Sequence, residues 1–97
     1  MARALKVIWT ELALQHVGEL WQFVAAENLR LADDLIDRIV VAVDRLENYP
    51  HSGRTGRIPD TRELVVPGTP FVVAYRVGTA IQVLAVLHGA RQWPDAF

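Results

Sequence analysis

The sequence predicts one α+β domain over residues 1–97, in the order β-α-α-β-β-β, with an antiparallel sheet whose N-terminal strand leads into a helical hairpin packed on one face. Two observations predict it. Apolar residues recur at helical spacing in two consecutive segments between Glu11 and Asn48. Three short runs rich in β-formers then follow, separated by glycine and proline turns.

Leu5-Lys6-Val7-Ile8-Trp9 is the first strand, short and made of β-formers. Thr10 suits a helix N-cap, and Glu11 places a negative charge in the first turn, where the helix dipole favours it. Leu14, Val17, Trp21 and Val24, widened by Leu20, form an apolar stripe that predicts a helix over Glu11–Ala26. Trp21 falls in that stripe and is assigned to the core. Phe23 lies off it and is a candidate partner contact. Glu27-Asn28-Leu29 is the reversal, because Asn tolerates capping and left-handed geometry. The second helix runs to about Asn48 and is ended by Pro50. Its inner stripe is Leu31, Leu35, Ile39, Ala42 and Leu46, with Ile36, Val40 and Val43 beside it. Asp34 and Arg38, one turn apart, can pair on the outside.

His51–Asp60 reads as a loop, with two glycines, a proline and two arginines. Arg62–Val66 is the next strand, and Pro67-Gly68-Thr69-Pro70 is turn chemistry. Phe71–Val77 is nearly all apolar and belongs in the centre of the sheet. Gly78-Thr79 predicts a two-residue hairpin turn into Ile81–Leu87. That turn pairs Val77 with Ala80 and Tyr75 with Gln82, which puts His88 on a face with Gln82, Leu84 and Val86, across from Phe71, Val73 and Tyr75. The tail from Gly89 to Phe97 reads as irregular.

Composition narrows the function classes. Apolar residues make up 52% of a chain of 97 residues, so a partner is expected to cover part of the surface. No apolar run reaches the ~18 residues that suggest a membrane span. The N-terminus is basic, but no long apolar stretch follows, so a cytoplasmic protein without a signal peptide is expected. There is no cysteine, and His16, His51 and His88 match no zinc spacing, so neither metal nor cofactor is expected. The net charge of −1 and pI near 6.3 lack the basic excess of a phosphate-backbone binder, although Arg54, Arg57 and Arg62 cluster.

Four strings lie in order around these elements: Pro50-His51-Ser52-Gly53-Arg54, Thr61-Arg62-Glu63-Leu64, Phe71-Val72-Val73-Ala74-Tyr75-Arg76-Val77, and Val86-Leu87-His88-Gly89-Ala90-Arg91-Gln92-Trp93-Pro94. With them the chain resembles the RelE/ParE toxin superfamily of type II toxin–antitoxin systems over almost its whole length. The resemblance implies a cognate antitoxin of ParD or RelB type and a toxin–antitoxin hetero-oligomer. RelE-like members cut mRNA in the ribosomal A site, and ParE-like members poison DNA gyrase. In RelE-like toxins Arg, Lys, Glu, His or Tyr supply the base, acid and cations of a metal-free RNA cleavage. At the matching strings here stand Arg62, His88 and Arg91.

Two positions depart from the nuclease pattern. Phe71 begins the central strand, where nuclease members often place a cation. Trp93 and Phe97 stand near the C-terminal end, where a catalytic Tyr is common, and neither transfers a proton. Lys6 is the only lysine. An acidic protein is also a poor fit to a site walled by phosphate. These departures favour a ParE-like toxin that binds gyrase over a ribosome-dependent endoribonuclease acting on mRNA. A member that only binds its antitoxin is the third reading. Each candidate also has a structural role open to it. His88 can bond a backbone carbonyl, and Tyr75 can be a half-buried core residue. Arg76 can be solvated, and Arg91 with Trp93 can pin the tail by stacking. His16 and His51 read as surface residues. Phe23, Tyr75, Arg76 and Trp93 are the candidate partner-binding residues.

Overall fold

The computed structural model describes residues 4–97, so the first half of the basic N-terminus lies outside the described residues. Strand β1 (Val7–Trp9) leads through Thr10 into helix α1 (Glu11–Ala25), and helix α2 (Leu29–Asp44) runs on into a 3-10 turn, Arg45–Glu47. Strands β2 (Arg54–Thr55), β3 (Arg62–Val65), β4 (Phe71–Val77) and β5 (Ile81–His88) complete the chain. Both helix starts are capped as their residue types dictate: Thr10 accepts from the Ala13 N–H, and Asn28 accepts from the Leu31 N–H.

The α+β arrangement is the one predicted, and the sheet order is β1-β5-β4-β3-β2. The sheet is mixed, because β1 lies parallel to β5 while the other neighbours are antiparallel. A parallel neighbour needs a long crossover, and everything between β1 and β5 supplies it. The two-residue strand β2 sits inside the segment expected to be loop.

Two details of register differ from expectation. The β4–β5 connection spans three residues, Gly78 to Ala80, so Val77 pairs with Ile81. A bulge follows: Tyr75 faces Val83 while Ala74 faces Ala85, leaving Leu84 as the extra residue. Val73 is therefore across from Val86, and Phe71 from His88. The bulge keeps Val83 and Val86, three residues apart, in the same core.

That core joins Ala13, Ile39, Ala42 and Val43 of the helices to Val66, Val73, Val83 and Val86. A second cluster joins Leu46 to Tyr75 and Ile81. The inner stripe of α1 is rotated by one position from the expected one. Ala13 is buried, Val17 and Leu20 pack on the core, and Leu14 is 56% exposed. Trp21 is a surface residue whose Nε1 donates to Asp33 across the hairpin at 2.9 Å. Leu31, expected inside, is exposed as well. The predicted Asp34–Arg38 pair does not form; the Arg38 guanidinium lies instead over Gly68 in the β3–β4 turn.

Candidate functional site

A cleft of about 540 Å³ opens between α1 and the C-terminal tail. Its α1 wall carries His16, Glu19, Leu20, Phe23 and Val24. Phe71, Val86 and Leu87 from the ends of β4 and β5 line the sheet side, and His88, Arg91 and Trp93 form the opposite wall. Phe23 is 75% exposed, an unusual position for so large an apolar ring. The rotation of the α1 stripe explains it. With Ala13, Val17 and Leu20 facing the core, Phe23 projects from the flank of the helix into the cleft.

β1 covers β5 only as far as Val83. Beyond it, the polar edge of β5 is partly occupied. Thr10 donates to the Val83 carbonyl from its N–H at 3.1 Å and from Oγ1 at 2.8 Å. His16 Nδ1 accepts the Val86 N–H at 3.2 Å. The His88 carbonyl accepts from Trp93 Nε1 at 3.1 Å and from the Arg91 N–H at 3.2 Å. His16 is thus a half-buried edge cap, a role its isolated position in the sequence did not signal.

His88 Nδ1 accepts the Ala90 N–H at 3.1 Å, and the ring meets Phe71 edge-on at 5.7 Å between centroids. In that arrangement the neutral ring carries its proton on Nε2 and offers no free lone pair. The bonded partner is a backbone N–H rather than the carbonyl expected. Arg62 stands apart from this cleft. Its Nη1 donates to the carbonyls of Gly53 at 2.8 Å and His51 at 3.3 Å. The three residues expected to act together are therefore divided, His88 and Arg91 on the cleft and Arg62 two strands away.

Tyr75 is fully buried, which removes it from the partner-contact residues. Its hydroxyl donates to the Pro50 carbonyl at 2.8 Å and accepts the Gly53 N–H at 2.9 Å. Burial raises its pKa above the ordinary tyrosine value. Gly53 has no room for a side chain, because a Cβ there would lie 2.6 Å from the Tyr75 hydroxyl. Arg76 is exposed on the sheet face away from the helices, remote from the cleft in register.

The tail is held through a charged relay that the sequence did not reveal. Glu63 is 3% exposed and accepts from Arg54 Nη2 at 3.0 Å, the Arg57 N–H at 2.7 Å and Arg57 Nε at 3.2 Å. Burial pushes this carboxyl up, and the hydrogen bonds from Arg57 and Arg54 outweigh it, so its pKa ends below the ordinary value. The Arg57 guanidinium in turn sits 3.7 Å over the Trp93 ring. Arg57, rather than Arg91, pins the tail.

Comparison with known proteins places this geometry. The family model described as the ParE toxin of type II toxin-antitoxin systems, parDE, matches residues 7–93. The chain belongs to the ParE toxin family. It is 38% identical over 90 residues to the candidate toxin Y4kP of Sinorhizobium fredii, covering 93% of this chain and 94% of that one. It is 28% identical over 87 residues to toxin RelE2 of Caulobacter vibrioides, covering 89% of this chain and 97% of that protein. A solved structure described as the chromosomal ParDE TA system from P. aeruginosa superposes with a TM-score of 0.76 at 25% identity, over 88% of this chain and 96% of that one. The cleft, the tail relay and the partly occupied β5 edge are thus features of a ParE-family toxin. No helix among the described residues is long and apolar enough to cross a membrane.

Proposed function

We propose that this ParE-family toxin arrests growth by binding a large target, DNA gyrase, and is neutralised by a cognate antitoxin seated in the cleft between α1 and the tail. The observation that carries the second half is the exposed Phe23 facing an apolar cleft walled by Trp93. Large aromatics on a groove are the usual anchors of a protein interface. The side chains and tail that already take the Val86 N–H and the His88 carbonyl on the β5 edge disfavour strand addition there, so an amphipathic antitoxin helix is the fitting occupant. Glu19 on one wall and Arg91 on the other set the polar rim of the pairing.

The binding mode of action rests on chemistry. RNA cleavage without a metal needs a base close to a 2′-hydroxyl. The Nδ1 lone pair of His88 is taken by the Ala90 N–H, and Arg62 is turned to backbone carbonyls in another part of the fold.

Titration calorimetry of the toxin with the antitoxin encoded beside it tests the cleft. Phe23→Asp is expected to weaken binding by at least ~2 kcal/mol, the cost of losing a hot-spot residue. An unchanged affinity in a folded variant sinks the cleft reading. Brief expression tests the target: replication is expected to stop before translation. The reverse order, with discrete cuts in ribosome-bound mRNA, installs a RelE-like nuclease instead.

A further inference from the structure

A second depression, of about 300 Å³, lies on the other flank of the hairpin, between α2 and the β3–β4 turn. Arg38 of α2 and Arg45, at the start of the 3-10 turn that continues it, line one side about two turns apart, with Val41 between them and Pro67 from the β3–β4 turn. Val41 is 53% exposed. Seven residues along a helix place the two guanidinium stems ~10 Å apart. Neither arginine forms an ion pair among the described residues, although Asp37 lines the same slot. The slot is also built. Gly68 adopts φ 75°, and a side chain there would collide with the Arg38 guanidinium lying over it. The turn thus shapes the seat in which Arg38 rests.

The local charge is out of character with its surroundings. Residues 11–48 hold eight carboxylates against three arginines, and two of those three arginines line this slot. A slot floored by Val41 and flanked by two unpaired guanidinium groups fits an apolar side chain with a carboxylate on either side.

The slot also lies beside the cleft. Pro67 lines the slot and Phe71 lines the cleft, on two sides of one tight turn. That turn is closed by the Val66 N–H on the Phe71 carbonyl at 3.0 Å and the Thr69 N–H on the Val66 carbonyl at 3.2 Å. A chain leaving the cleft over Phe71 reaches the slot by crossing a single turn.

We propose that the slot between α2 and the Pro67–Gly68 turn is a second anchor for the antitoxin, taking an acidic-apolar segment continuous with the helix in the cleft. This rests on the reading that the antitoxin occupies the cleft. The pairing makes Arg38 and Arg45 the source of much of the salt dependence of the complex, because these charges lie at the rim of the interface.

The test uses the full toxin and its full antitoxin. Arg38→Glu/Arg45→Glu is compared with Arg38→Lys/Arg45→Lys and the parent by calorimetry at low and high salt. Both arginines are exposed, and the circular dichroism and Tm of each variant alone confirm folding. The Glu variant is expected to bind about tenfold or more weakly at low salt and to bind better, not worse, as salt screens the new repulsion. The Lys variant is expected to keep the salt dependence. Replacing the antitoxin's paired carboxylates by Lys is expected to restore binding to the Glu variant. Parental affinity and salt dependence in the Glu variant, with Phe23→Asp still defective, overturn the second anchor alone. Loss of growth arrest at unchanged antitoxin affinity also overturns it, and assigns the slot to the target. An antitoxin that fails to bind the parent toxin overturns the cleft reading and this one with it.

Discussion

At Glu63 a single carboxylate collects two guanidinium groups and a backbone N–H in a position that water scarcely reaches. A buried charge is tolerated only with such partners, and removing one side leaves the other unsatisfied. Through Arg57 the same group sets the plane on which Trp93 stacks, so one residue on β3 positions the far wall of the cleft. Its depressed pKa gives a signed prediction. The folded state holds the Glu63 proton more weakly than the unfolded chain, so stability rises with pH across the interval below the ordinary value of 4.5. That contribution is present above the ordinary value and is lost as pH falls through the depressed one. Glu63→Gln is therefore expected to lower stability by ~1–3 kcal/mol at neutral pH and to flatten the acid limb of Tm against pH. Thermal melts between neutral and acid pH check it; an acid limb as steep as the parent's counts against the role. Tyr75 shows why a side chain's type does not reveal its job. The alternation of β4 put it on a face, but only the returning loop at Pro50–Gly53 turned its hydroxyl into a buried clamp.

Among the elements, the hairpin of α1 and α2 is where local pattern and tertiary packing are most nearly in agreement. Leu35, Ile39, Val43 and Leu46 face the sheet as their spacing requires, and Ile39 is fully buried beside Val73. Ile39→Ala is expected to cost ~2–5 kcal/mol through lost burial and the cavity left behind. A urea denaturation midpoint equal to the parent's contradicts the packing. The elements misread are also instructive. On α1, Leu14 and Trp21 satisfied helical spacing as well as Ala13, Val17 and Leu20 did, because the helix carries apolar residues over more than one face. Size favoured the wrong stripe, whereas the small Ala13 is the residue of α1 that is fully buried. The β4–β5 register failed for a different reason. Gly78-Thr79 has turn chemistry, yet the loop takes in Ala80 and the ladder carries a bulge, neither of which has a signature in one sequence. Those two shifts separated His88 from the face of Gln82 and made it, rather than Val86, the direct partner of Phe71.

For the molecule as a whole, the order of elements and the family were readable because they depend on periodicity and on motifs spread along the chain. The site was readable only in part. Phe23 and Trp93 were singled out and share one cleft, whereas His16 and Glu63 act through contacts formed across 70 and 6 to 9 positions of sequence. The distribution of charge follows the architecture as well. The helical layer is rich in carboxylates, and Arg54, Arg57 and Arg62 after it hold loops, tail and carboxylate together rather than forming an open phosphate track. A toxin built in this way is suited to protein surfaces. The discriminating residue is His88, which lies on the cleft with Arg91 and is the one imidazole at the end of β5. In a nuclease it would be an acid or base, and general acid–base groups contribute about 10²–10⁴-fold to rate. In a binding toxin its part is to accept the Ala90 N–H and shape the start of the tail, a part that a glutamine carbonyl can take over. Induced expression of His88→Gln, with circular dichroism to confirm folding, is expected to arrest growth nearly as the parent does. Arg91→Ala is less telling, since an exposed arginine on the cleft can matter to binding under either mode. Cleavage of ribosome-bound mRNA by the parent that disappears in the folded His88→Gln variant would show that the imidazole performs chemistry, and the gyrase-binding mode would fall.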